Sequence, residues 1–129
     1  MEINFDFIKL KNWYMGWRKL MNKGVYEKVE FEIPKKWRLT FNKLLKVNPS
    51  QINNYDESIW DEFSEDIINM INHESNITLD IGWYPQFDRN GYYGLVLIED
   101  NQWSKPVETL VTRDTKELID KINIILNKY

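Results

Sequence analysis

Carboxylates carry most of the chemical potential in this chain. Asp61 with Glu65, and Glu62 with Asp66, are pairs spaced four residues apart, and such pairs on one helix face can hold Mg2+ or Ca2+. Facing solvent, however, they would bind a metal weakly, so no metal site is expected. The same four acids read as a solvated polar face, or as a surface that attracts a basic protein partner. Asp80 lies inside an alternating segment, where burial would raise its pKa, so it is the candidate acid of a carboxylate-based hydrolase. Thiol and Ser/His/Asp chemistry lack parts, since the chain has no Cys and one His, His73, placed near a predicted helix end where imidazoles meet free carbonyls. There is no phosphate-cradling loop, dinucleotide fingerprint or zinc spacing, and Gly residues number only five. The chain is therefore expected not to be an enzyme and to use no cofactor.

Aromatic residues are the second concentration of binding chemistry. Trp83, Tyr84, Phe87, Tyr92, Tyr93 and Trp103 fall within 21 residues. Trp83 and Phe87 share an expected apolar face with Val96 and Ile98 and read as core. Tyr84 and Tyr93 are expected on the other face, and Tyr92 and Trp103 in or near loops. There, beside Asp88, Arg89 and Asp100, rigid aromatics make binding hot spots.

The elements that must position these groups can be read from periodicity. Phe5, Ile8, Trp13, Trp17, Leu20 and Met21 predict an amphipathic helix over Phe5 to Met21. Val29, Phe31 and Ile33 alternate with charges and predict a strand over Tyr26 to Ile33. Pro34 ends that strand or opens a short helix through Trp37, Phe41, Leu44 and Leu45, and Asn48-Pro49-Ser50 marks a loop. From about Glu57 to His73, Trp60, Phe63, Ile67 and Ile71 predict a helix with Asp61, Glu62, Glu65 and Asp66 on its wet face, capped by Asp56 or Ser58. Ile77, Leu79, Ile81 and Trp83 predict a strand. Asn90-Gly91 then signals a two-residue hairpin that would set Phe87 against Gly94 and Trp83 against Ile98. Further strands are expected over Tyr93 to Glu99 and Val107 to Val111. Asp114 with Glu117 resembles a capping box opening a last helix through Leu118, Ile122 and Ile125. The expected architecture is a single α+β domain over residues 1–129, an antiparallel sheet of three to four strands with helices packed on one face as a two-layer sandwich.

Charge is segregated along the chain although the net charge is only −3. Lys9 to Lys46 holds eleven Lys/Arg and three Glu, a balance of +8, whereas Val47 to Asp88 holds nine acids and no base. Trp13, Trp17 and Trp37 among the basic residues raise nucleic acid as a partner, but they lie on apolar stripes and the overall acidity repels phosphate, so no nucleic acid is expected. No apolar run reaches the roughly 18 residues of a membrane span, so no membrane is expected. Met1 to Lys11 lacks the pattern of a signal peptide. With no Cys to oxidise, a cytoplasmic location is the expectation.

A cysteine-free domain without catalytic equipment, with an acidic helix beside an aromatic hairpin, resembles the small immunity proteins of bacterial polymorphic toxin and contact-dependent growth inhibition systems. The stretches that carry the resemblance are Asn12-Trp13-Tyr14, Trp83-Tyr84-Pro85-Gln86-Phe87-Asp88 and Asn90-Gly91-Tyr92. It implies a cytoplasmic inhibitor that neutralises a cognate toxin, often a nuclease, by occupying or distorting its active site. The residues expected to meet that partner are Asp61, Glu62, Glu65 and Asp66 for steering, with Tyr84, Asp88, Tyr92, Tyr93 and Trp103 at the anchored surface. The alternative is a glycan- or small-ligand-binding module that stacks its ligand on the exposed aromatics.

Overall fold

The computed structural model describes residues 26–53 and 57–129, so the helix expected over Phe5 to Met21 lies outside the described residues, as does Asp56. In chain order they form strand β1 (Trp37–Asn42), a 3-10 turn (Pro49–Gln51), a 3-10 helix (Glu57–Glu62), β2 (Ile68–Asn72), β3 (Ile77–Tyr84), β4 (Tyr92–Glu99), β5 (Glu108–Thr112) and helix α1 (Thr115–Lys128). The strands make one antiparallel sheet in the order β1-β2-β3-β4-β5, a meander in which each strand pairs with the next. The class is α+β, with five strands rather than three to four. A single α-helix, not several, is present among the described residues.

The additional strands come from segments that read as helical. Trp37–Asn42 follows Pro34 as a strand, with a register irregularity between Leu39 and Phe41. The helix expected from Glu57 to His73 is a 3-10 helix that stops at Glu62, a link, and then β2. Ser64 breaks the helical path: its hydroxyl accepts from Asp66 N and donates to Asp66 O, both at 3.1 Å, a local bond that competes with helical bonding. Beyond it Ile68, Met70 and Asn72 are fully buried while Asn69 and Ile71 are half-buried, a period of two. Pairing on both sides, Met70 with Leu39 and with Leu79, selects the strand. Trp60, Phe63 and Ile67 are still buried, so their apolar character was read correctly and their geometry was not.

Tyr26 to Ile33 does not form the expected strand. It makes one isolated bridge, Lys28 to Leu45, with Val29 N donating to Leu44 O at 2.8 Å. The side chain of Asn42 takes Val29 O at 2.6 Å, in place of a strand ladder. The β3–β4 connection also differs from the two-residue hairpin. Trp83 pairs with Tyr93 and Tyr84 with Tyr92, leaving 85–91 as the loop. Pro85 has no N–H for the ladder. Asp88 instead closes a turn, its carboxylate accepting from Asn90 N at 2.8 Å and its carbonyl from Gly91 N at 2.9 Å and from Trp83 Nε1 at 2.7 Å. Phe87, expected in the core, is 50% exposed with φ 66°, turned outward by that loop.

The core lies on the sheet face that carries Leu79, Ile81, Leu95 and Leu97, and Leu118, Ile122, Ile125 and Leu126 of α1 belong to the same cluster. Helix α1 begins as expected. Asp114 accepts from Lys116 N and Glu117 N at 2.9 and 3.3 Å. The reciprocal half of the capping box runs through a relay: Asp114 N donates to Thr112 Oγ1, whose hydroxyl donates to Glu117 Oε1. Glu108 ties the far end of the helix to β5, accepting from Lys121 Nζ at 2.6 Å, Lys128 Nζ at 3.1 Å and Tyr129 OH at 2.6 Å.

Candidate functional site

The end of the sheet where β3 passes into β4 gathers most of the residues expected to bind. The link before β2 runs alongside β3, with Trp83 N donating to Ser64 O at 2.9 Å, Ile67 N to Ile81 O at 2.9 Å and Phe87 N to Phe63 O at 2.7 Å. These bonds bring Glu65 and Asp66 to the sheet end that carries Tyr84. The approach is close: a Cβ on Gly82 would stand 2.2 Å from Glu65 O, so only glycine admits the crossing. On the neighbouring strand a Cβ on Gly94 would stand 3.2 Å from the Tyr84 ring, which lies across that glycine. Two strand glycines thus form the floor on which Tyr84 rests.

Asp80, Tyr84 and Tyr92 share one face of the sheet, because alternation places them opposite Leu79, Ile81, Trp83 and Tyr93. Tyr84 and Tyr92 are cross-strand partners and each is 45% exposed. Asp80 is half-buried and accepts from Asn69 Nδ2 at 3.1 Å. Burial raises its pKa, the Asn69 bond opposes that rise, and the charge of Asp66 adds to it. Burial also raises the Tyr84 pKa, and the charges of Asp80, Glu65 and Asp66 push it further. Tyr84 therefore sits in the combined field of three carboxylates.

The described cations Arg89 and Arg113 are engaged within the fold. Arg89 pairs with Glu57 at 3.0 Å and lies 5.8 Å from the Trp60 ring. Arg113 donates to Gly91 O and stands 5.5 Å from the Trp83 ring and 5.7 Å from that of Tyr92. Among the described residues no ion pair reaches Glu62, Glu65 or Asp66, all of which are exposed, as is Asp61. Among the described residues the surface is acidic, and its aromatics are braced from beneath by an aromatic chain. Trp60 to Phe63 is 4.7 Å, Phe63 to Trp83 4.9 Å and Trp83 to Tyr93 4.9 Å between ring centres.

Asp61, Glu62, Glu65, Asp66, Tyr84, Asp88 and Tyr92 belong to this end, although the first four stand on a 3-10 helix and a link rather than on the face of an α-helix. One Asp88 oxygen is committed to its own turn. Tyr93 does not belong to the surface. It is 1% exposed, its hydroxyl lies 3.4 Å from Thr115 Oγ1, and burial holds its pKa far above the ordinary tyrosine value. The change of register exchanged its face with that expected. Trp103 is 52% exposed but follows the opposite end of β4. The two ends of that strand, Tyr92 and Glu99, are seven rises of ~3.4 Å apart, roughly 24 Å. Trp103 stands on a turn where Asp100 and Asn101 have φ of 52° and 59°, braced by Asp100 N donating to Asn76 O at 3.0 Å and Asn76 Nδ2 to Asp100 Oδ1 at 3.2 Å.

Sequence reasoning missed Arg113 and the glycine floor. Arg113 meets Tyr92 only because β5 lies beside β4. The two glycines did carry a signal, as glycines inside strands mark close approach of another backbone or ring. Among the described residues no group of three or more His, Asp or Glu is placed to hold a metal ion, and no helix is long and apolar enough to cross a membrane. No family model, curated protein or solved structure matches the chain.

Proposed function

We propose that this protein is a binding protein whose acidic, aromatic sheet end receives the basic surface of a protein partner, and that the partner is the cognate toxin of an immunity pair. One observation carries the reading. Tyr84 and Tyr92 stand side by side, half exposed on a rigid sheet, with Glu65, Asp66 and Asp80 close enough to shift the Tyr84 titration. Rigid half-exposed aromatics anchor interfaces, and an uncompensated field of one sign accelerates encounter with the opposite sign. A nuclease presents basic groups to its substrate, and carboxylates can occupy the places of the phosphates. The whole protein is read as acting in the cytoplasm as one domain, without catalysis.

The test is capture of partners by the tagged protein from its host at low and high salt. A stoichiometric basic protein, toxic when expressed alone and rescued by co-expression, is expected. Reversing Glu62, Glu65 and Asp66 to Lys should slow association and flatten its salt dependence, while Tyr84→Ala together with Tyr92→Ala should accelerate dissociation. Association unchanged by the charge reversals would remove the assignment of these acids.

A second reading has its own observation. Trp103 is exposed on a braced turn away from the acidic end, which suits a stacking platform for a saccharide ring. Saccharide-dependent quenching of tryptophan fluorescence that disappears in Trp103→Phe would favour it.

A further inference from the structure

The ring of Tyr84 does not stand away from the sheet but reclines along it. A Cβ on Gly82 would lie 2.7 Å from the Tyr84 hydroxyl, and one on Gly94 would lie 3.2 and 3.3 Å from the Cδ2–Cε2 edge of the ring. The two glycines are cross-strand partners, so the ring crosses one bare row of the sheet and is seated on backbone rather than on mobile side chains. Val111 continues that row as the partner of Gly94 on β5, on the same face and 70% exposed. Tyr92 stands beside Tyr84 in the next row. The result is a short apolar strip, open to solvent, on a floor that cannot shift far.

Carboxylates border this strip. The Glu65 backbone crosses at Gly82, so the link carrying Glu65 and Asp66 runs past the hydroxyl end of the Tyr84 ring. Asp80 lies two residues before Gly82 on the same face, and the ring leans toward it from two residues after. One Asp80 oxygen accepts from Asn69 Nδ2. Burial, then the charges of Asp80, Glu65 and Asp66, raise the pKa of the Tyr84 hydroxyl, so all three carboxylates act on it. An aromatic ring bordered by carboxylates suits a guanidinium: its plane packs on the ring, its five N–H donors spread to the acceptors, and its stem lies on an apolar neighbour such as Val111. An ammonium is compact and strongly hydrated, and gains less from the ring. The fold already uses guanidinium in this way twice at the same end. Arg89 lies between the Glu57 carboxylate at 3.0 Å and the Trp60 ring at 5.8 Å, and Arg113 lies between Gly91 O and the rings of Trp83 and Tyr92. Among the described residues no cation is placed over Tyr84.

We propose, resting on the reading of this sheet end as the face for a basic protein, that Tyr84, with Val111 beside it and Asp80, Glu65 and Asp66 around it, receives an arginine side chain of that partner in preference to a lysine. Two capped glycine peptides, one carrying a single arginine and the other a single lysine, separate guanidinium from charge. Each is titrated into the full chain at equal ionic strength and followed by NMR of the Tyr84 ring and the Val111 methyls. The arginine peptide should bind roughly two- to five-fold more tightly, the factor that an exposed cation–π contact supplies, with its largest shifts at Tyr84 and Val111. Tyr84→Phe keeps the ring and should keep the preference. Tyr84→Leu should erase it with an unchanged circular dichroism spectrum, leaving the weaker attraction that both peptides share. Glu65→Gln with Asp66→Asn should weaken both peptides by similar factors. Equal binding of the two peptides to the wild-type chain, shifts centred away from Tyr84 and Val111, or a preference that survives Tyr84→Leu overturns the arginine site while the attraction of this face for basic groups stands. Failure of both peptides to bind overturns the site as well, and the reading of the partner is then decided by the captured protein alone.

Discussion

Replacing Glu108 by Gln removes the charge that joins α1 to β5. The Glu108 side chain is only 15% exposed, and three donors converge on it, which holds its pKa down at about 2 from the ordinary 4.5. The bond from Lys121 is the largest cause, followed by that from Tyr129. At ~1.36 kcal/mol per pKa unit, the fall from 4.5 to about 2 caps the contribution at about 3.4 kcal/mol. Lys128 is 58% exposed and both lysines lose rotamer freedom, so screening and entropy reduce the expected loss to about 1–2 kcal/mol. The sign follows from linkage. A carboxylate with a lowered folded pKa contributes fully above its unfolded value of 4.5, and the contribution disappears as pH falls toward about 2. Urea unfolding of wild type and Glu108→Gln at a series of pH values checks this. The midpoints should differ near neutrality and converge below 4.5 with matching slopes. Equal stabilities near neutrality, or a gap that stays constant as pH falls, would refute the reasoning.

Gly82→Ala should destabilise by about 1–3 kcal/mol or more, because its Cβ would meet the Glu65 carbonyl at 2.2 Å and backbone yields poorly; chemical denaturation reads the loss, and an unchanged midpoint would show that the crossing relaxes freely. Asp80→Asn should stabilise the fold near neutral pH and lose that advantage in acid. Burial raises the Asp80 pKa, so the wild-type fold loses stability as pH rises through that raised value, while Asn keeps an acceptor for Asn69. Thermal melts at acid and neutral pH distinguish the outcomes, and a variant less stable than wild type at neutral pH would count against burial as the dominant cause.

Strand alternation and the helix cap were legible where the local pattern admits one answer. Ile77 to Tyr84 alternates so strictly that no helix face accommodates it, and Asp114 caps α1 because the cap bonds span only three residues. The α+β class and the burial of Trp60, Phe63, Ile67 and Trp83 follow from the same local information. The acids of the candidate site could be named from the chain, since nine acids without a base between Val47 and Asp88 cannot neutralise one another.

Tertiary structure decided which secondary structure carried those residues and which of them met. Trp60, Phe63, Ile67 and Ile71 satisfy a helical stripe, yet Ile68, Met70 and Asn72 equally satisfy a strand, and only pairing with β1 and β3 separates the two. The β3–β4 register depended on a seven-residue loop, 85–91, in which Asp88 anchors the Trp83 indole rather than on Asn90-Gly91 alone. Because strand side chains alternate, that register buried Tyr93, left Tyr92 at the surface and set Tyr84 beside it. The length of β4 then separated Trp103 from both. Residue type determined what each group could bind; ladder register, a long-range property with no local signature, determined which groups could bind together.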